Sequence, residues 1–456
     1  MTGSASQGMQ LRSSIGRTAA ETLALKILLT LVAMVATVVI SRVLGPEGRG
    51  IYYVPVVAAA TVITFAKLGL EQANVFLYGT RSIPAERLAS QSGFVALAAG
   101  VVGIVTMLLA SLAVPSVFGD VPLVLTVLAS LTIPFSLHTQ FIAGLQNLTG
   151  QVTLQFKAAL VSGLAQLAAL IALALLQLID VSTALAVNLF GAAVAWVATL
   201  TRSSVRSWTV SWDAGLFKET MSHSLALHAG TILLFLHLRA DSFMVKAISG
   251  TEALGIYSLG VVIAETVLLA TDSVAIALLP RQVAADLADA AQVALRAARF
   301  NGYFAILFSL VLVGTGWFVI PLAFGQAFHE TYPVLAALVP GILFMSMQRV
   351  CGVPVVRAGT PLRITAIFAV SLALNVALNL VWIPRFGPVG ASLASSVSYA
   401  VAAALFLAWT AQLAGSLTYL LPVRSDADVL GRAVVLLRGG SAIRTGAEAA
   451  LRERPR

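Results

Sequence analysis

Long apolar runs alternate with short polar punctuation along most of the chain. Twelve such runs stand out, near residues 18–40, 51–70, 92–114, 122–143, 154–177, 182–201, 222–247, 253–275, 300–321, 332–350, 364–384 and 389–413. Each is long enough to cross a hydrocarbon core of about 30 Å as an α-helix. The short alternating segments of a membrane barrel are absent from the pattern. The predicted class is therefore an all-α polytopic membrane protein with about 12 transmembrane helices. The leading segment "MTGSASQGMQLRSSIGR" has no apolar core of the signal-peptide kind, so the first run reads as a retained helix.

The punctuation itself repeats. The connection "SRVLGPEGRGIYY" at 41–53 returns in altered form as "ISGTEALGIY" at 248–257. A shift of 205 residues superposes ten identities in eighteen ungapped positions, from Gly45/Gly250 through Gly50/Gly255 and Tyr52/Tyr257 to Val62/Val267. The match covers a loop as well as the helix after it, so shared hydrophobicity does not explain it. A fainter echo pairs "GLQNLTGQ" (144–151) with "VVRAGTP" (355–361), each ahead of an apolar run. Six spans separate the copies, an even number. The halves then share one orientation and are related by an axis along the membrane normal. This predicts two six-helix pseudo-symmetric lobes around a central cavity. The implied division is an N-terminal segment 1–17, an N-lobe 18–201, a linker 202–221, a C-lobe 222–413 and a basic tail 414–456. Gly45, Gly50, Gly250 and Gly255 become candidate pivots at the cavity rim.

Composition changes the picture only through where the charge falls. The chain is 59% hydrophobic and 10% charged, with a net charge of +9, against about a quarter charged in soluble domains. With the N-terminus inside, fourteen Lys and Arg residues fall on the cytoplasmic segments and only Arg42, Arg49, Lys246 and Arg385 on the opposite side. That bias places both termini in the cytoplasm. It also makes the basic surplus a matter of topology, with no nucleic-acid partner implied. The one cysteine, Cys351, excludes an intrachain disulfide and a cysteine-rich metal site.

These motifs resemble a known family. "SRVLGPEGRGIYY" followed by "KLGLEQANV", the second-half "RADSFMVKAISGTEALGIYSLG" and the late "ALNVALNLVWIPRFGPVGASLASS" are similar to the polysaccharide-synthesis branch of the multidrug, oligosaccharidyl-lipid and polysaccharide flippase superfamily. The resemblance spans residues of about 10 to 415. It implies export of lipid-linked oligosaccharide units across the bacterial inner membrane, with polysaccharide polymerase and export machinery as partners.

Charges inside spans are costly and ordinarily face a cavity. The first span aligns Thr22, Lys26, Thr30, Thr37 and Ser41 on one arc. That arc is either a cavity stripe or a set of hydroxyls bonded back to helix carbonyls, with Lys26 snorkelling. Lys67 and Glu71 at i,i+4 suit a local ion pair. The seventh span places His223, His237 and Asp241 on one face and His228, Arg239 and Lys246 on the other. In the eighth, Glu265 is either a proton carrier or the partner of a cation. Asp272 is the repeat mate of Lys67, which suggests a cytoplasmic gate closed by an ion pair. Lys26, Lys67 and Arg239 are the candidate cations for a pyrophosphate head group. Asp241, Glu265 and Asp272 are the candidates for gating or for H+ or Na+ coupling, and no cofactor is expected.

Three functions follow. The first is a lipid-linked oligosaccharide flippase. The second is a cation-coupled multidrug exporter of the same superfamily, which favours acidic, aromatic cavities. The third is a membrane-embedded glycosyl- or acyltransferase. It needs a constellation in a sizeable loop, and the DxD pair Asp426 and Asp428 lies in a short polar tail without one.

Overall fold

The computed structural model describes residues 2–203, 205, 210–359 and 361–423. The tail residues Asp426 and Asp428, and the side chain of His223, lie outside the described residues. The helices are α1 (Thr2–Ala66), α2 (Leu70–Arg81), α3 (Ala85–Ala113), α4 (Pro115–Phe118), α5 (Leu123–Ser130), α6 (Thr132–Leu148), α7 (Val152–Leu175) and α8 (Val181–Arg202). They continue as α9 (Ala214–Ser249), α10 (Thr251–Glu265), α11 (Val267–Ala284), α12 (Leu287–Phe324), α13 (Thr331–Arg349), α14 (Gly352–Arg357) and α15 (Pro361–Ala414). No strand occurs among the described residues.

Two of these helices are too long to be single rods in a bilayer. At 1.5 Å per residue, the 65 residues of α1 would span about 100 Å. The chain instead folds back at Gly45, whose φ of 67° lies in the left-handed region. Residues from both limbs, such as Thr37 and Tyr52, line one cavity. The 54-residue α15 does the same at Gly387, φ 55°, and Asn375 of its first limb bonds Ser395 and Ser398 of its second. Both turns read Gly-Pro-x-Gly: glycine adopts the positive φ and proline starts the next limb. Counting α1 and α15 twice, and joining α2 to α1, α5 to α6 and α10 to α11, the described residues make twelve passes in two lobes. We call the end carrying Gly45 and Gly250 the rim end and the opposite one the basic end.

Two predicted spans are broken where the sequence pattern runs on. The span predicted at 51–70 stops at Ala66, because Leu68 and Gly69 take φ of 51° and 71° before α2 begins. Gly69 has Ser224 against the place where a Cβ would stand. The span predicted at 122–143 is interrupted at Leu131. Pro134 has no N–H to offer the carbonyl of residue 130, which removes the helical bond there.

The internal repeat is expressed in the backbone. Gly250 joins α9 to α10 with a φ of 90°, matching Gly45 at 67°. The fainter echo is equally physical: Gly150 and Gly359 have φ of 76° and 72°, each just before a span. The lobes meet at the repeat. A Cβ on Gly50 would collide with the Thr251 carbonyl, and one on Gly255 with the Pro46 carbonyl. The 205-residue shift turns one contact into the other, as required of an isologous contact across a two-fold axis. Glycine permits backbone-to-backbone approach here and any side chain would prevent it.

Candidate transport site

Polar contacts hold the rim end closed between the lobes. Lys246 of α9 donates to Asp120, in the turn before α5, at 2.6 Å, and to Thr251 at 2.8 Å. Thr251 donates to the same carboxylate oxygen at 2.7 Å. Arg42 donates to the carbonyls of Ala323 and Leu322 at the end of α12. Arg49 bonds Ser41 in its own lobe at 2.9 Å and Ser258 of α10 at 3.2 Å. By sequence Arg49 falls in the connection between the first two spans, and Lys246 at the last turn of the seventh. Both are 5% exposed, because the chain folds back so tightly that these positions lie inside the rim.

Asp120 lies outside the membrane-spanning segments. The hydrogen bond from Lys246, then that from Thr251, holds its carboxylate below the usual range, which centres near pH ~4. A depressed carboxylate contributes stability above its unfolded value and loses it as pH falls through the folded value. Rim closure is therefore expected to be constant from pH 8 to 5 and to loosen only below about 4. Spin labels at Val114 and His329, one on each lobe, would report the change as a widened distance.

The C-lobe holds a connected polar network. Asp241 is 1% exposed and accepts from Tyr257 Oη at 2.5 Å, Ser395 Oγ at 2.8 Å and the Ser242 N–H at 2.7 Å. Asn375 donates to both Ser395 and Ser398 at 3.2 Å and accepts from Asn379 at 2.9 Å. His237 bonds Ser398 at 3.1 Å. The Asn379 Oδ1 atom is buried with no hydrogen-bond partner. Asp241 has no cation within ion-pair distance among the described residues. Beside the network lies a cavity of about 430 Å³ lined in part by His237, Tyr399, Asp272 and Arg349.

The N-lobe holds a second cavity, of about 450 Å³, between the two limbs of α1 and helices α7 and α8. Its polar lining is Thr37, Arg49, Tyr52, Tyr53, Ser162, Gln166 and Asn188. Val262 of the C-lobe reaches it, so the space borders the lobe interface. A third, apolar groove of about 660 Å³ runs between α1, α3 and the start of α9, with Phe65, Phe94, Trp212 and Phe217 in its wall.

The predicted cations do not converge on one cavity. Lys26 sits over the Phe156 ring, 5.4 Å from its centroid. Lys67 pairs with Glu71 at 3.4 Å across the break between α1 and α2. Arg239 pairs with Glu265 through two hydrogen bonds of 2.7 and 3.0 Å, so Glu265 is the partner of a cation. Asp272 is paired with Arg349 of α13 at 2.5 Å, within its own lobe. The Lys67–Asp272 pair is therefore not formed in this state, in which the rim end is the closed one. On the first span, Thr22 is buried, Thr30 and Thr37 bond back to the carbonyls of Lys26 and Ala33, and Thr37 also borders the N-lobe cavity. His228 bonds the Phe65 carbonyl at 3.2 Å.

Sequence reasoning missed Asp120, Tyr257, Ser395 and Asn375. Tyr257 had a signal as an identity in the repeat, and Asn375 and Ser395 lie in the late motif at 373–396. Asp120 stands in a short connection, and its partner Lys246 lies 126 residues away.

Two six-pass lobes, closed on each other at one end and bordering internal cavities, define a polytopic membrane protein with the architecture of an alternating-access carrier. The chain belongs to the polysaccharide biosynthesis protein family, whose model matches residues 16–284. Its fold is similar to that of a lipid II flippase, MurJ, in an inward closed conformation, with TM-score 0.66 and 12% identity over 85% of this chain and 87% of that one. It is also similar to the inward-facing conformation of a multidrug resistance MATE family transporter of the MOP superfamily, with TM-score 0.64 and 15% identity over 88% and 99%. A third likeness is to a MOP superfamily transporter from Pyrococcus furiosus, with TM-score 0.64 and 14% identity over 89% and 96%. No curated protein matches the chain by sequence. The matched structures are those of transporters and a flippase.

Proposed function

We propose that the protein translocates lipid-linked, polyprenyl-pyrophosphate oligosaccharide units across a bacterial inner membrane by alternating access, for surface polysaccharide synthesis. The rim end is then periplasmic and both termini are cytoplasmic, in keeping with the distribution of Lys and Arg. Polymerase and export proteins are the expected partners. The observation that carries the reading is the N-lobe cavity: its polar lining offers a cation, amides and hydroxyls, and no carboxylate. That set suits an anionic, hydroxyl-rich head group. The hydrocarbon tail needs no enclosed pocket, since it can stay in the bilayer.

The rival reading is an exporter of organic cations. The likeness to a multidrug resistance transporter favours it. Purified protein in liposomes separates the two. A flippase moves a fluorescent lipid-pyrophosphate oligosaccharide between leaflets and leaves a cationic dye untransported; the opposite result rejects the flippase reading.

Asp241 is the group we assign to ion coupling. A buried carboxylate without a cation, next to amide oxygens, offers an oxygen-rich site for a proton or a sodium ion. Asp241→Asn is expected to remove the dependence of transport on an imposed proton or sodium gradient. Gradient-driven transport equal to wild type would rule the assignment out.

A further inference from the structure

Arg49 carries its charge in a place where the protein supplies no anion. The side chain is 5% exposed. A guanidinium stays protonated and presents five N–H donors. Two of them are engaged, by the Ser41 and Ser258 hydroxyls, and both partners are neutral. No Asp or Glu among the described residues lies within ion-pair distance. Lys67, Arg239 and Lys246 differ in this respect, since each has a carboxylate partner. Buried charges are ordinarily paired, because removing an ion from water is offset only by an opposite charge and a full set of hydrogen bonds.

The same side chain lines the N-lobe cavity. Tyr52, Gln166 of α7 and Asn188 of α8 are among its other polar lining residues. A guanidinium, a phenol and two amides lining one cavity are suited to an anionic group attached to a hydroxyl-bearing one. We propose that Arg49, with Gln166 and Asn188, forms a binding subsite for an anionic group, either a phosphate or a sugar carboxylate. The identity of the ligand rests on the flippase reading; the existence of an anion site does not.

The position of Arg49 gives the subsite a second consequence. Ser258 belongs to the opposite lobe, and Gly50, the next residue, makes the backbone contact between lobes. Charge-assisted bonds to an anion are roughly twice as strong as a neutral bond to a hydroxyl. An anion in the cavity therefore draws Arg49 away from Ser258 and removes a link across the rim. Binding and rim opening are coupled, and the coupling is reciprocal.

The test uses full-length protein in nanodiscs, with inorganic pyrophosphate and glucuronate as probes, read by calorimetry. At least one probe is expected to bind, with Arg49→Gln weakening it at least about tenfold and Arg49→Lys giving an intermediate value. Saturating probe should also widen the Val114–His329 spin-label distance in wild type and not in Arg49→Gln. Binding of pyrophosphate alone assigns the subsite to a phosphate; binding of glucuronate alone assigns it to an acidic sugar. Binding of neither, or equal binding in Arg49→Gln, overturns the proposal. Should Arg49→Gln fail to fold, Asn188→Ala carries the test. Its affinity should fall at least about threefold, and an unchanged value overturns the proposal. Failure of wild-type protein to move lipid-linked oligosaccharide, with probe binding intact, rejects the flippase reading and leaves the anion site standing.

Discussion

Gly255→Leu is expected to hold the rim end open and to reduce transport to below about a tenth of wild type, since the resting contact it destroys is one of the two alternating states. The Cβ would fall on the Pro46 carbonyl, which belongs to the backbone and cannot rotate away. Small residues at helix crossings let backbones touch, and a branched side chain separates the helices by the width of its carbons. Gly50→Leu should act in the same way against Thr251. Gly45→Ala is the control for local strain: its φ of 67° disfavours a side chain, yet no atom stands near the added Cβ. It should lower stability by about 1 kcal/mol and leave rim closure intact. The Val114–His329 distance would distinguish the cases, widening in the leucine variants alone. An unchanged distance with normal transport in Gly255→Leu would reduce the glycines to an ordinary turn.

The second large effect is expected at Arg239 and Glu265. Removing one member of a buried pair leaves the other uncompensated, at a cost on the order of 3 kcal/mol. The side chains are 24% and 28% exposed, which argues for the lower end of that effect. Glu265→Gln and Arg239→Gln should each lower the unfolding temperature of the purified protein, and the charge swap Arg239→Glu with Glu265→Arg should recover most of the loss. The pair joins α9 to α10 inside one lobe, and under the proposed transport cycle it would keep that lobe rigid. If Arg239 instead bound substrate directly, Glu265→Gln would raise affinity for an anion and leave stability unchanged.

The lobes are built alike and charged differently. A shift of 205 residues places Arg239, Asp241 and Glu265 on Met34, Ala36 and Ala60. The repeat therefore gives the N-lobe no counterpart of the C-lobe charges Arg239, Asp241 and Glu265. The N-lobe instead places a buried cation, Arg49, in the wall of its cavity without a carboxylate partner among the described residues. Such a division suits a transporter in which one lobe handles the ion and the other the head group.

Much of this was legible in the chain. Apolar runs dictate membrane-spanning helices, because hydrocarbon leaves a backbone no partner but itself. The repeat dictated two lobes in one orientation, and its glycines marked where the backbone turns. The breaks at Leu68 and Leu131 were not legible. Hydropathy reports the medium around a residue and does not report its φ and ψ. Nor did hydropathy separate Arg49 from a loop charge, since a buried charge and a loop charge interrupt an apolar run in the same way. Partner choice was decided by the tertiary structure alone. Whether Glu265 meets Arg239, Asp272 meets Arg349, or Asp120 reaches Lys246 depends on how helices far apart in sequence are packed. The strength of a charge in a membrane depends on what lies within a few ångströms of it, and only the packed fold sets those distances.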